Sequence, residues 1–136
     1  MSMEIIDEEL LNSITKLALE SPRLRMNHNF HKSPDSKAQQ LLNALELGTV
    51  LPIHRHKNTS ETYIVLRGSL KLLLYSDDKE LVSCTEVSPN NGVFGVNISV
   101  GQWHTIEVIE PGTVIFEVKD GPYKPFAEED ILIVCE

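Results

Sequence analysis

From Gln39 onward the chain is cut into short β-type segments by turn residues, and this punctuation constrains the fold more than any other feature. The separators are Gly48, Lys57-Asn58-Thr59-Ser60, Gly68, Asp77-Asp78, the run from Ser88 to Gly92, Gly101 and Pro111-Gly112. They supply positive or fixed φ where a chain reverses. The segments between them predict strands over 39–47, 50–55, 61–67, 69–76, 80–87, 93–98, 103–109 and 113–118. Strands at this spacing fit an all-β, double-sheet jelly-roll barrel. Residues 120–136 carry Pro122 and Pro125 before an apolar ILIV run, and read as coil with one last short strand.

Ahead of the barrel, residues 7–20 predict one helix. Asp7 is a good N-cap, Glu8 and Glu9 sit in the positive first turn, and Ser21-Pro22 ends the run. Leu10, Leu11, Ile14, Leu17 and Ala18 form one apolar stripe, which must pack on the outside of the barrel or on a second subunit. The expected division is therefore 1–38 as helix and arm, and 39–136 as barrel with a C-terminal tail.

A formal charge of −8 argues against nucleic acid or an anionic membrane as partner, since both demand basic patches. It leaves room for an anionic substrate, because a metal and a few local arginines reverse the sign inside a pocket. Cys84 and Cys135 show no pairing or ligand-like spacing and read as reduced thiols. The acidic, periodic N-terminus is unlike a signal peptide, and no apolar run approaches a membrane span. A cytoplasmic location is expected.

Within the first barrel turns, GTVLPIHRHKNTSETYIVLRG brings together His54, His56 and Glu61 between Gly48 and Gly68. Two histidines two residues apart on a strand project to one side, and a carboxylate beyond a polar turn can swing back beside them. His104, in SVGQWHTIEV, adds a third imidazole. Three imidazoles and one carboxylate suit a divalent transition metal such as zinc, iron(II), manganese or nickel.

The pattern G-x5-H-x-H-x4-E-x6-G resembles the first motif of the cupin superfamily. Gly101 and His104 match the second motif at its glycine and its ligand. Ser99 stands where that motif has proline, Val108 where it has asparagine, and position 93 lacks its glycine. The resemblance implies a cupin double-stranded β-helix with His54, His56, Glu61 and His104 as metal ligands. More of the chain (the N-terminal helix, PRLRMNHNFHKSP, QQLLNALELGTVLPIHRH and YIVLRG) resembles the WbuC-type cupin-fold metalloproteins. Those are small bacterial proteins often associated with surface-polysaccharide gene clusters, so the resemblance implies a sugar connection. Cupin barrels of this size commonly pair, which implies a homodimer.

Other residues are candidates for the site. In Arg23–His31, Arg25 could clamp a carboxylate or phosphate, Asn27 could bind hydroxyls, and His28 or His31 could act as acid or base. The same segment also reads as a polar linker from helix to barrel. Gln39, Leu41, Asn43, Leu45 and Leu47 share one strand face, and Asn43 among leucines calls for a specific hydrogen-bond partner. Tyr63 lies two residues after Glu61 and points the same way, either as a proton donor or as core. Trp103 reads as core or interface, and Arg67 as a solvated or interface residue.

No serine elbow, phosphate loop or dinucleotide fingerprint occurs. The leading expectation is a metal-dependent enzyme acting on a small polar ligand, of sugar or nucleotide-sugar type. The metal would polarise an oxygen while a wall residue moves a proton, as in isomerisation or epimerisation. An iron-dependent dioxygenase, a ligand-binding cupin without turnover and a structural metalloprotein are the alternatives.

Overall fold

The computed structural model describes residues 2–134, so Cys135 lies outside the described residues. One helix, α1 (Glu8–Glu20), precedes ten strands. These are β1 (Arg25–Asn29), β2 (Ala38–Leu45), β3 (Ile53–His54), β4 (Glu61–Arg67), β5 (Leu70–Tyr75), β6 (Leu81–Val87), β7 (Gly95–Ile98), β8 (Trp103–Val108), β9 (Thr113–Asp120) and β10 (Ile131–Leu132). They form two five-stranded antiparallel sheets, ordered β1-β2-β9-β4-β7 and β10-β3-β8-β5-β6. The fold is mostly β with one N-terminal helix, as the turn spacing implies.

The sheets face each other over an apolar core. Leu45, Tyr63, Val65, Ile98 and Ile115 come from the first sheet, and Leu70, Leu72, Val87, Ile106 and Val108 from the second. Directly paired residues of antiparallel strands share a face. One inward row of the first sheet therefore runs Asn27–Asn43–Ile115–Val65, the next Asn29–Leu41–Glu117–Tyr63, and a third Gln39–Lys119–Glu61–Ile98. Apolar at one end and polar at the other, these rows close half the barrel as core and leave the rest open as a bowl.

The outer face of the first sheet is also buried. Leu42, Ala44 and Val114 pack beneath Leu11, Ile14 and Ala18 of α1, with Met26, Phe30 and Phe116 around them. Leu11, Ile14 and Ala18 of the helix stripe thus find their partner on the chain's own barrel, while Leu17 stays 47% exposed. Asp7 caps α1 through Oδ1, which accepts from the Leu10 amide at 2.9 Å. Arg67 is a structural anchor rather than a solvated residue. Its guanidinium donates to Asn12 Oδ1 (2.7 Å), Thr15 Oγ1 (3.0 Å) and the Gly112 carbonyl (2.9 Å), tying the helix to the barrel rim.

Three elements depart from the sequence expectation. Residues 25–29 form a strand rather than a linker. Its outward Met26 and His28 alternate with inward Arg25, Asn27 and Asn29, a period-2 pattern masked by polar residues facing a cavity. The strand expected over 50–55 shrinks to Ile53–His54, where Pro52 offers no amide to a ladder. The strand expected over 39–47 ends at Leu45, and Leu47 is exposed. The last short strand expected in the tail is β10, which pairs with β3.

Candidate metal centre

Each donor reaches the centre by a different route. His54 on β3 pairs directly with His104 on β8, and their rings lie 4.3 Å apart. His56 follows in a loop pinned by the Gly101 amide, which donates to the His56 carbonyl at 2.8 Å. Glu61 opens β4 in the opposite sheet. One donor atom from each of these four residues lies within 4.8 Å of the others.

The hydrogen bonds around them orient the lone pairs. The His54 Nδ1–H donates to the Pro52 carbonyl (2.8 Å), and the His104 Nδ1–H to the Gln102 carbonyl (2.9 Å). That tautomer leaves both Nε2 atoms as electron-pair donors. His104 Nε2 then faces Glu61 Oε1 at 3.2 Å, and His56 Nε2 stands 3.5 Å from Glu61 Oε2 while buried with no hydrogen-bond partner. Lone pairs meeting in a buried space are satisfied by a cation or a proton between them. The donor set fits a divalent metal.

Electrostatics agree with that. Burial alone would raise the Glu61 carboxyl, but the neighbouring His104 and His56 imidazoles outweigh it and hold it below the usual range. Burial, reinforced by neighbouring His104, lowers His54 to about 4, so it stays a neutral imidazole.

The centre lies at the floor of a cavity of about 720 Å³. Arg25, Asn27, His31, Asn43 and Tyr63, the remaining residues singled out from sequence, all line it. Arg25 is half-buried and donates through Nη1 to the Val50 carbonyl (3.0 Å). His31 Nδ1 sits 3.0 Å from the Gln40 carbonyl oxygen and 3.1 Å from its amide nitrogen, so it serves one partner at a time. Asn43 is buried, with Nδ2 donating to Glu117 Oε1 (3.2 Å) and Oδ1 unpartnered. Tyr63 is buried beside Glu61 and Glu117. Burial and those carboxylates push its phenol well above the usual value. His28 points away from the bowl and bonds Glu4 at 2.8 Å. Trp103 is buried, donates to Asp77 Oδ1 (2.8 Å) and carries the Arg55 guanidinium on its ring.

Two cavity residues escape sequence reasoning. Glu117 on β9 is half-buried on the inward face, and burial together with the Glu61 charge pushes its carboxyl up to about 7. Phe126, in the tail after β9, lies with its ring 4.5 Å from His54 and 5.9 Å from His56. The inward register Ile115–Glu117–Lys119 is the only sequence signal for the first. For the second there is none.

Two antiparallel sheets, a barrel core and this donor set define a cupin-fold protein with a candidate metal centre. The chain belongs to the family described as a domain of unknown function, DUF6016, whose family model matches residues 6–87. No curated protein matches it in sequence. Among solved structures it is similar to KdgF from Halomonas sp., at 14% identity and a TM-score of 0.59, covering 76% of this chain and 84% of that one. It is also similar to the capsular polysaccharide assembling protein CapF from Staphylococcus aureus, at 21% identity and a TM-score of 0.60. That match covers 74% of this chain but only 29% of CapF. The cupin domain of Cnp3 from Schizosaccharomyces pombe aligns at 9% identity and a TM-score of 0.56, covering 71% of this chain and 64% of that one. These likenesses concern the fold. Among the described residues, no helix is long and apolar enough to cross a membrane.

Proposed function

We propose that the protein is a divalent-metal cupin enzyme that isomerises or epimerises a small, sugar-like polar molecule. The observation that carries this reading is where the donors stand. They lie at the floor of an open cavity rather than in a sealed interior, the location a reactive centre needs. His54, His56, Glu61 and His104 would hold the ion, which when bound supplies Lewis acidity toward a carbonyl or hydroxyl oxygen.

The chain's own groups would do the rest. Glu117, with a carboxyl near neutrality on the wall, is suited to taking and returning a proton. Tyr63 stays a neutral phenol and donates, while His31 keeps Nε2 for the mouth. The unpartnered Asn43 Oδ1 accepts from a ligand hydroxyl, and Arg25 and Asn27 position the ligand from β1. A cytoplasmic, WbuC-type protein of surface-polysaccharide biosynthesis fits this reading, in keeping with the name of CapF, which shares the fold. Homodimerisation belongs to it too, through a sheet edge or the exposed Leu17 side of the helix.

The test is metal stoichiometry on protein purified without chelator or affinity histidines, followed by NMR of aldose and ketose phosphates in heavy water. About one equivalent of metal is expected in the wild type and little in His56→Ala, with solvent deuterium entering beside the carbonyl only in the former. Full metal occupancy with no exchange on any sugar would remove the isomerase reading. No metal after reconstitution would remove the metal centre itself.

A further inference from the structure

The cavity carries a charge pattern opposite to that of the chain. The protein has 20 carboxylate residues against 12 lysines and arginines. Yet Arg23, Arg25, Lys32 and Lys119 all line this one cavity, and among the described residues the only carboxylates there are Glu61 and Glu117. A protein of net charge −8 repels anions at long range, so a cationic hollow within it is a local feature of the site.

Among the described residues, none of the four lies within ion-pair distance of a carboxylate. Arg55 and Lys57, a short way along the chain and absent from the cavity lining, are both paired with Asp130, and Lys57 with Glu129 as well. Neither cavity carboxylate forms an ion pair with them, although the Lys119 charge tempers the rise of the Glu117 carboxyl. Glu61 is committed to the histidines, and Glu117 accepts from Asn43.

The register sets where the charges stand. Arg25 comes from the inward face of the edge strand β1, and Lys119 from β9 directly opposite Glu61. The carboxamides of Asn27 and Asn43 lie on the inward rows of the same sheet. Arg25 is held by one bond to Val50, and its fork keeps further N–H groups for a ligand. Burial and the adjacent Arg23 both lower the Arg25 pKa, a penalty that a bound anion relieves.

We infer that the cavity takes an anionic, hydroxylated small molecule, with its carboxylate or phosphate held by Arg25 and its hydroxyls by the asparagines. This names the ligand class of the site described above and rests on that reading of the cavity. The shared chemistry is a compact oxyanion on a polyol, such as an acidic sugar or a sugar phosphate.

The test is calorimetric titration of the metal-loaded protein with glucuronate, glucose 6-phosphate and glucose, at low and moderate salt. At least one charged probe is expected to bind about ten-fold or more tightly than glucose, and to weaken as salt rises. Arg25→Gln should cost that probe about ten-fold while metal content and the melting curve stay unchanged. Which charged probe binds tells a carboxylate site from a phosphate site. If glucose binds as well as both charged probes, or no charged probe binds, the inference fails. It also fails if anion binding disappears with the metal yet is indifferent to Arg25→Gln, because the anion then belongs to the ion alone. Charge-selective binding without deuterium exchange would leave the inference standing and sink the isomerase reading, and exchange on a neutral sugar would do the reverse.

Discussion

Gly68 ends the first metal motif at φ +87°, and a Cβ there would stand 2.7 Å from the Thr113 Cα, a backbone atom with little room to move. Gly92 also has positive φ, but nothing lies within 4 Å of its added Cβ. Gly68→Ala should therefore destabilise by about 2–4 kcal/mol in denaturant titration, and Gly92→Ala by only about 1 kcal/mol, the cost of the left-handed backbone alone. Equal losses at the two sites would mean that the Thr113 contact is relieved by local movement. Glu117 offers a second residue-level prediction. Its folded-state pKa, about 7, stands above the ordinary 4.5, so the fold favours the neutral carboxyl. That contribution is fully present below pH 4.5 and is lost as pH rises through 7. In metal-free protein, Glu117→Gln should flatten the fall in melting temperature across this window, and an unchanged slope would remove Glu117 as its source. The four metal donors are legible as residues because three of them sit in one short strand–turn–strand segment. Glu117 is not, since a charge at that place in a strand reads equally well as solvent-facing.

At the scale of elements, α1 is legible from its cap and its apolar period, and the barrel strands from their turns. Asp7→Ala removes the bond to the Leu10 amide and should cost about 1 kcal/mol of stability, read by chemical denaturation with the metal site unaffected. No loss would mean the cap contributes nothing beyond what water supplies. What the helix covers is not legible. With α1 on the outer face, β2 and β9 are apolar on both faces around Leu42–Leu45 and Val114–Ile115, so alternation gives no sign of which side is the bowl. The same ambiguity hides β1, whose inward residues are polar because they face the cavity rather than the core.

Across the whole molecule, the metal donors join the two sheets. His54 and His104 belong to one and Glu61 to the other, so an ion held there would clamp the open end of the barrel. Removing it with a chelator should lower Tm by roughly 10 °C if the ion is present at about a thousand times its Kd, with recovery on adding metal back. A Tm indifferent to chelator and metal would show that the barrel holds its mouth without a clamp. Much was determined by sequence alone: an all-β barrel with one helix, a donor set for a divalent ion, and a net charge of −8. These follow from local rules of turn chemistry, period and residue type. Only the tertiary structure decided that the helix packs on its own barrel, that Arg67 anchors it, and that Phe126 lies over the histidines. It alone also gathered Glu117 and four basic side chains into one cavity. These depend on contacts between residues far apart in the chain, whose pairing is set by the register of the sheets and carries no local signature.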